Sequence, residues 1–184
     1  MAVGSGSVAD AARPAISTVP VNDLGANVPP PASATSTIVR TDGGVTVSVN
    51  TNIGGAGTAT MWWLVWNEPG ACFGLVGVPF RCVPPPAGGP DIPDCVLFAT
   101  GVVVGNSGNL NYTGHRSVGD GSNGLFPCDG ITEPRDADIH AIVRLHGQTI
   151  PGQVDDQIHT FTGACGPGPA FALCSDVQGA VHEP

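Results

Sequence analysis

Residues 58–72 read TATMWWLVWNEPGAC, and this stretch decides the fold. It holds all three tryptophans, Trp62, Trp63 and Trp66, within five residues and runs into Cys72, the first of six cysteines. On a strand, successive side chains point to opposite faces. Trp62, Leu64 and Trp66 then share one face, and Met61, Trp63 and Val65 the other. Both faces are apolar, so the strand is either covered on both sides or presents one sticky face. It leaves through Asn67-Glu68-Pro69-Gly70, a turn-forming sequence. The stretch predicts an interior strand that feeds a cross-linked loop in an all-β domain.

Further strands follow on either side at regular spacing. Thr37 to Arg40 reads as one strand, and Asp42-Gly43-Gly44 as the hairpin turn after it. Val45, Val47 and Val49 alternate with Thr46, Ser48 and Asn50, the pattern of a half-buried strand. Val96 to Val104 turns through Gly105-Asn106-Ser107-Gly108 into Asn109 to Val118. From Asp138 to His146, Ile139, Ala141, Val143 and Leu145 face one way, and Asp138, His140, Ile142, Arg144 and His146 the other. Gln153 to Phe161 is expected to pair back across the Gly147–Gly152 turn, and Asp176 to His182 to close the fold. With 27 glycines and 18 prolines, long helices are interrupted almost everywhere. About eight short strands predict an antiparallel β-sandwich of immunoglobulin-like size over residues 34–184. Residues 1–33, rich in Gly, Ala and Pro and ending in Pro29-Pro30-Pro31, read as an extended N-terminal arm.

Charge narrows the function. The chain of 184 residues carries 15 acidic residues, six arginines and no lysine, for a net charge of −9. Nucleic-acid binding requires clustered cations, which this composition does not supply. Anionic membrane surfaces are disfavoured for the same reason. The longest apolar run, Met61 to Trp66, is too short to span a membrane. Met1 to Ser7 has neither a basic start nor an apolar run, so the chain reads as a mature form or as one exported without a leader.

The cysteines are Cys72, Cys82, Cys95, Cys128, Cys165 and Cys174. Their number is even and no CxxC pair occurs, which points to three disulfides in an oxidising, extracellular setting. Fifteen connectivities are open. Loop length favours Cys72–Cys82 and Cys165–Cys174, each closing a short Pro/Gly loop, and leaves Cys95–Cys128. The long segment 68–94 is uncommon in a compact domain unless it is stapled or functional.

Candidate chemistry rests on five histidines, His115, His140, His146, His159 and His182. His140 and His146 share a strand face but stand about 20 Å apart on a straight strand. One metal would need one of them together with His115, His159 or His182 from a neighbouring strand; such a set suits copper or zinc. The plainer alternative is hydrogen bonding to Asp138, Asp155 or Asp156. Asp155 and Asp156 point to opposite faces of a strand and make a poor acid/base pair. Gly119 to Gly124 resembles a calcium loop in its oxygen donors but lacks the terminal glutamate of an EF-hand, and a plain turn is the favoured reading. Arg116, Arg135 and Arg144 are expected to pair with local carboxylates, with Arg144 as an alternative anion holder. No G-x-S-x-G or HExxH occurs. No cofactor is expected.

Four segments carry a resemblance: WWLVWNEPGAC at 62–72, LFATGVVVGNSGNLNYTGHRSVGD at 97–120, ADIHAIVRLHGQTIPGQVDDQIHTFTGAC at 137–165 and CSDVQGAVH at 174–182. Together they resemble a family of uncharacterised secreted bacterial proteins with a WW-x3-N-x-P-x2-C motif, over roughly residues 35–183. The resemblance implies secretion and brings no activity with it. Relative to that pattern this chain adds Cys95 and Cys128 together, which supports pairing them. Residues 137–152 also resemble chordin-type domains, where a short His-containing strand precedes a Gly turn.

Three functional expectations follow. The first is a non-enzymatic extracellular structural subunit that assembles with itself through residues 1–33. The second is a secreted ligand- or carbohydrate-binding sandwich that uses the Trp62/Trp63/Trp66 region and the 68–94 loop. The third is a copper or zinc protein built on the histidines.

Overall fold

The computed structural model describes residues 14–75, 81–85, 88–166 and 174–184. Strand β5 (Gly57–Trp66) lies between two neighbours, and nine of its ten residues are buried. Its five-stranded sheet runs in the order β2 (Asn22–Asp23), β9 (Ser175–His182), β8 (Asp138–Leu145), β5, β6 (Cys95–Val104). The facing four-stranded sheet runs β1 (Ala15–Pro20), β3 (Thr35–Thr41), β4 (Gly44–Asn52), β7 (Asn109–Ser117). Every strand pairing is antiparallel, and the fold is the β-sandwich that the strand pattern predicts.

The core lies between the sheets. Ala59, Met61, Trp63 and Val65 of β5 meet Ile38, Val45, Val47, Val49, Leu110 and Tyr112 of the facing sheet within one buried cluster. Strand β7 alternates strictly, with Leu110, Tyr112, Gly114 and Arg116 inward. Arg40, a buried cation, crosses the seam. Arg40 donates from Nη1 to the Pro134 and Ala137 carbonyls (3.0 and 2.7 Å) and from Nη2 to the His182 carbonyl (2.8 Å). Burial lowers its pKa, while Asp138 and Asp136 act in the opposite direction; a guanidinium remains charged throughout.

Residues 14–33 lie along the sandwich. β1 pairs with β3 and β2 with β9, so this segment passes from one sheet to the other. Val21 is part of the core, and Ala26 and Val28 pack against it. Residues 1–13, the rest of the expected arm, are outside the described residues.

One element differs in type. Residues 153–161, expected as a strand, form the helix α1 (Val154–His159). Asp155 and Asp156 occupy its first turn and His159 its last, the charge order that a helix dipole favours. Gln157 points inward, donating to the His146 and Gln148 carbonyls (3.0 and 2.9 Å) and accepting from the Ile150 amide (2.9 Å). These bonds satisfy the preceding turn, and a strand in their place would leave its groups unpaired. The helix lies so close to β6 that a Cβ on Gly101 would come 1.8 Å from the Ile158 carbonyl oxygen.

The three disulfides are Cys72–Cys82, Cys95–Cys128 and Cys165–Cys174. Among the described residues no helix is long and apolar enough to cross a membrane.

Candidate functional site

The outer face of β5 is covered at one end by α1 and the segment after it. Trp62 packs edge-on against Phe98 and Phe161, with ring centroids 5.4 and 5.2 Å apart. Its Nε1 donates to Thr60 Oγ1 (2.9 Å). Trp63 is fully buried on the inner face. These two tryptophans are core residues, with no surface to offer a ligand. Trp66, also buried, tilts against the His140 ring at 4.7 Å.

Where β5 ends, the chain bends around a cleft of about 510 Å3 lined by Trp66, Glu68, Phe73, Asp91, Ile92 and Asp94 among others. Asp91 shapes it. Its buried carboxylate accepts from the amides of Phe73 (2.7 Å), Gly74 (3.1 Å) and Val83 (2.8 Å). Burial works to raise its pKa, but the three backbone hydrogen bonds outweigh it and hold the carboxyl below its ordinary value. This single side chain, with Cys72–Cys82, ties both arms of the loop together. Held in this way, Phe73 is 89 % exposed and Ile92 74 % exposed. Glu68 and Asp94 are exposed at the same cleft, and Asp94 Oδ2 accepts from the Asn67 amide (2.7 Å). Sequence reasoning marked the 68–94 loop but missed Phe73, Asp91 and Ile92. The available signal was an acid, Asp91, in the Pro/Gly-rich segment that follows the Cys72–Cys82 loop.

The five histidines do not gather into one site. His115, exposed on β7, has Nδ1 2.9 Å from Thr46 Oγ1. His159, exposed on α1, has Nδ1 2.9 Å from Asp155 Oδ1. His140 is buried, with Nε2 3.4 Å from Asp138 Oδ1. His182 is buried between the sheets. His146 is buried beside the Cys165–Cys174 disulfide. Its Nδ1 lies 3.0 Å from the Gly163 carbonyl and its Nε2 2.9 Å from Thr60 Oγ1. A carbonyl only accepts, so Nδ1 carries the proton and Nε2 accepts from the Thr60 hydroxyl. Burial lowers the His146 pKa. Among the described residues, the three potential ligand side chains whose donor atoms lie within 4.8 Å of one another are His146, Cys165 and Cys174, and here the two sulfurs are bonded to each other.

The remaining candidates are structural. Arg116 pairs with Asp120, Arg135 with Asp42 and Arg144 with Asp176. Arg144 also lies over the Phe161 ring, 3.9 Å from its centroid, so its guanidinium is already engaged on two sides. In the Gly119–Gly124 segment Asp120 accepts from the Ser122 amide and hydroxyl and from Arg116, the arrangement of a self-satisfied turn. No protein-family model, curated protein or solved structure matches the chain.

Proposed function

We propose that this protein is a secreted, non-enzymatic binding domain that takes a carbohydrate in the cleft beside Trp66. The observation that carries this reading is the exposure of Phe73 on a loop tied by Asp91 and Cys72–Cys82. An aromatic ring set out in water is costly to keep. Here its backbone is pinned by Asp91 and by the Cys72–Cys82 staple. Loops pinned in a binding conformation spend less free energy on ordering when a ligand arrives. A sugar ring presents an apolar face to such an aromatic and hydroxyls to neighbouring carboxylates, here Glu68 and Asp94. A concave site with apolar walls and a few polar groups fits a small ligand. Three disulfides suit an extracellular setting.

The test is a glycan array followed by calorimetry. A retained glycan whose affinity falls at least tenfold in Phe73→Ala, at unchanged melting temperature, supports the reading. An array without retention, or equal affinity in Phe73→Ala, overturns it.

A specific observation also favours a self-assembling structural subunit. Five of the six β1 residues are exposed, so β1 is held on β3 chiefly by main-chain hydrogen bonds. A strand held in that way can be lent to a second copy at little cost in buried side chains.

A further inference from the structure

We propose that reduction of Cys165–Cys174 creates, with His146, a binding site for a zinc-class divalent metal, separate from the carbohydrate cleft. His146 Nδ1 lies 3.7 Å from Cys165 Sγ and 3.5 Å from Cys174 Sγ. Metal–ligand bonds of about 2.3 Å to sulfur and about 2.0 Å to nitrogen, at a tetrahedral angle, give a sulfur–nitrogen edge of about 3.5 Å. The imidazole therefore already stands at coordination distance from both sulfurs. What the oxidised form lacks is the third edge, because the sulfurs are bonded to each other and must part to about 3.8 Å. His146 is buried and both cysteines are half-buried, which leaves an approach for a metal and for a water in the fourth position.

The outer partners suit this use. In the oxidised form Thr60 donates to Nε2 and Nδ1–H donates to Gly163. Metal binding at Nδ1 requires the other tautomer, in which Nε2–H donates to Thr60 Oγ1. The Thr60 contact reverses direction without moving, and Trp62 Nε1 keeps the hydroxyl in place. A metal-bound histidine held through its other ring nitrogen is the usual outer-shell arrangement. The cost is the Gly163 hydrogen bond and the displacement of that carbonyl, whose oxygen stands 3.0 Å from Nδ1 and 3.6 Å from Cys165 Sγ.

The chemistry balances. A water-soluble trialkylphosphine gives two electrons to the disulfide and becomes the phosphine oxide, taking its oxygen from water. The two protons of that water end on the thiols. The metal ion then displaces both thiol protons to solvent. A small-molecule disulfide accepts the two electrons on reoxidation, leaving as two thiols with two protons from solvent, while Cys165–Cys174 closes and the metal is expelled.

The experiment is cobalt(II) titration of the full chain before and after phosphine reduction, read by thiolate-to-cobalt charge-transfer absorption. The expected result is one cobalt per reduced chain and none per oxidised chain. The band is lost in Cys165→Ser/Cys174→Ser, kept in Cys95→Ser/Cys128→Ser, and weakened at least tenfold in His146→Gln. A reduced chain without the band, or a band that survives Cys165→Ser/Cys174→Ser, overturns the proposal. Should His146→Gln fail to fold, X-ray absorption of the zinc-loaded wild type decides. A shell of two sulfurs and a nitrogen upholds the site, and a shell of sulfurs alone overturns it.

Discussion

His182 and Ser36 meet inside the sandwich, imidazole Nε2 2.8 Å from the hydroxyl Oγ, across the seam between the two sheets. Both residues are fully buried. Burial, with added repulsion from Arg40 and His140, pulls the His182 pKa from 6.5 down to about 4. The unfolded chain therefore takes up this proton more readily than the folded one. The resulting stability is complete above pH 6.5 and is lost as pH falls toward 4. Its ceiling is on the order of 3 kcal/mol. His146 shifts in the same direction, through burial. Calorimetric melting from pH 7 to pH 4 should show a falling transition temperature, and His182→Gln should flatten that slope. A wild-type transition that stays level across this window would contradict the assignment.

Arg40 should be the most sensitive charged position. Replacing it with Leu leaves the Pro134, Ala137 and His182 carbonyls without their donor and should cost about 2–4 kcal/mol in urea unfolding. Lys should not rescue it, because a single ammonium cannot reproduce the guanidinium fork that reaches three carbonyls. Stability within 0.5 kcal/mol of wild type in Arg40→Lys would show that the fork is dispensable.

Asp91→Ala should release the cleft loop while the sandwich stays folded. Three amides lose their acceptor, so hydrogen exchange at Phe73, Gly74 and Val83 should accelerate together. Global stability should fall by about 1–3 kcal/mol. Unchanged protection at these amides would mean that Cys72–Cys82 alone sets the loop.

The Cys95–Cys128 bridge spans 33 residues. Removing it as Cys95→Ala/Cys128→Ala should cost about 3–4 kcal/mol, the loop-closure entropy returned to the unfolded chain. Equilibrium unfolding of the double variant measures this directly, and a loss under 1 kcal/mol would contradict it.

Deleting residues 1–20 separates the two functional readings. Light scattering of the full chain should show large particles that vanish on deletion if β1 is exchanged between copies. A monomer in both forms would remove the assembly reading and leave the cleft untouched.

The strands from Thr35 onward were legible because their periodicity is local. Val45, Val47 and Val49, or Ile139, Ala141 and Val143, declare their inward faces within a few residues. The two apolar faces of Trp62 to Trp66 likewise foretold a strand covered on both sides or one with a sticky face. The three cysteine pairs followed from loop length and parity. Local carboxylate partners were expected for the arginines; Asp120 of Arg116 is local, whereas Asp42 of Arg135 and Asp176 of Arg144 are distant in sequence. Helix α1 was not legible. Six residues have little intrinsic helicity, and this turn is set by Gln157 reaching back to the carbonyls of His146 and Gln148 and by the space that Gly101 leaves.

By itself, then, the sequence determined an all-β, disulfide-bearing domain with an apolar strand at its heart, because burial periodicity and cysteine spacing are properties of neighbouring residues. Only the tertiary structure decided that Asp91 pins Phe73 in water, that β1 and β2 join opposite sheets, and that His146 rather than its four counterparts stands beside two sulfurs. These relations join residues brought together by strand register and loop closure, and no short-range pattern in the chain records them.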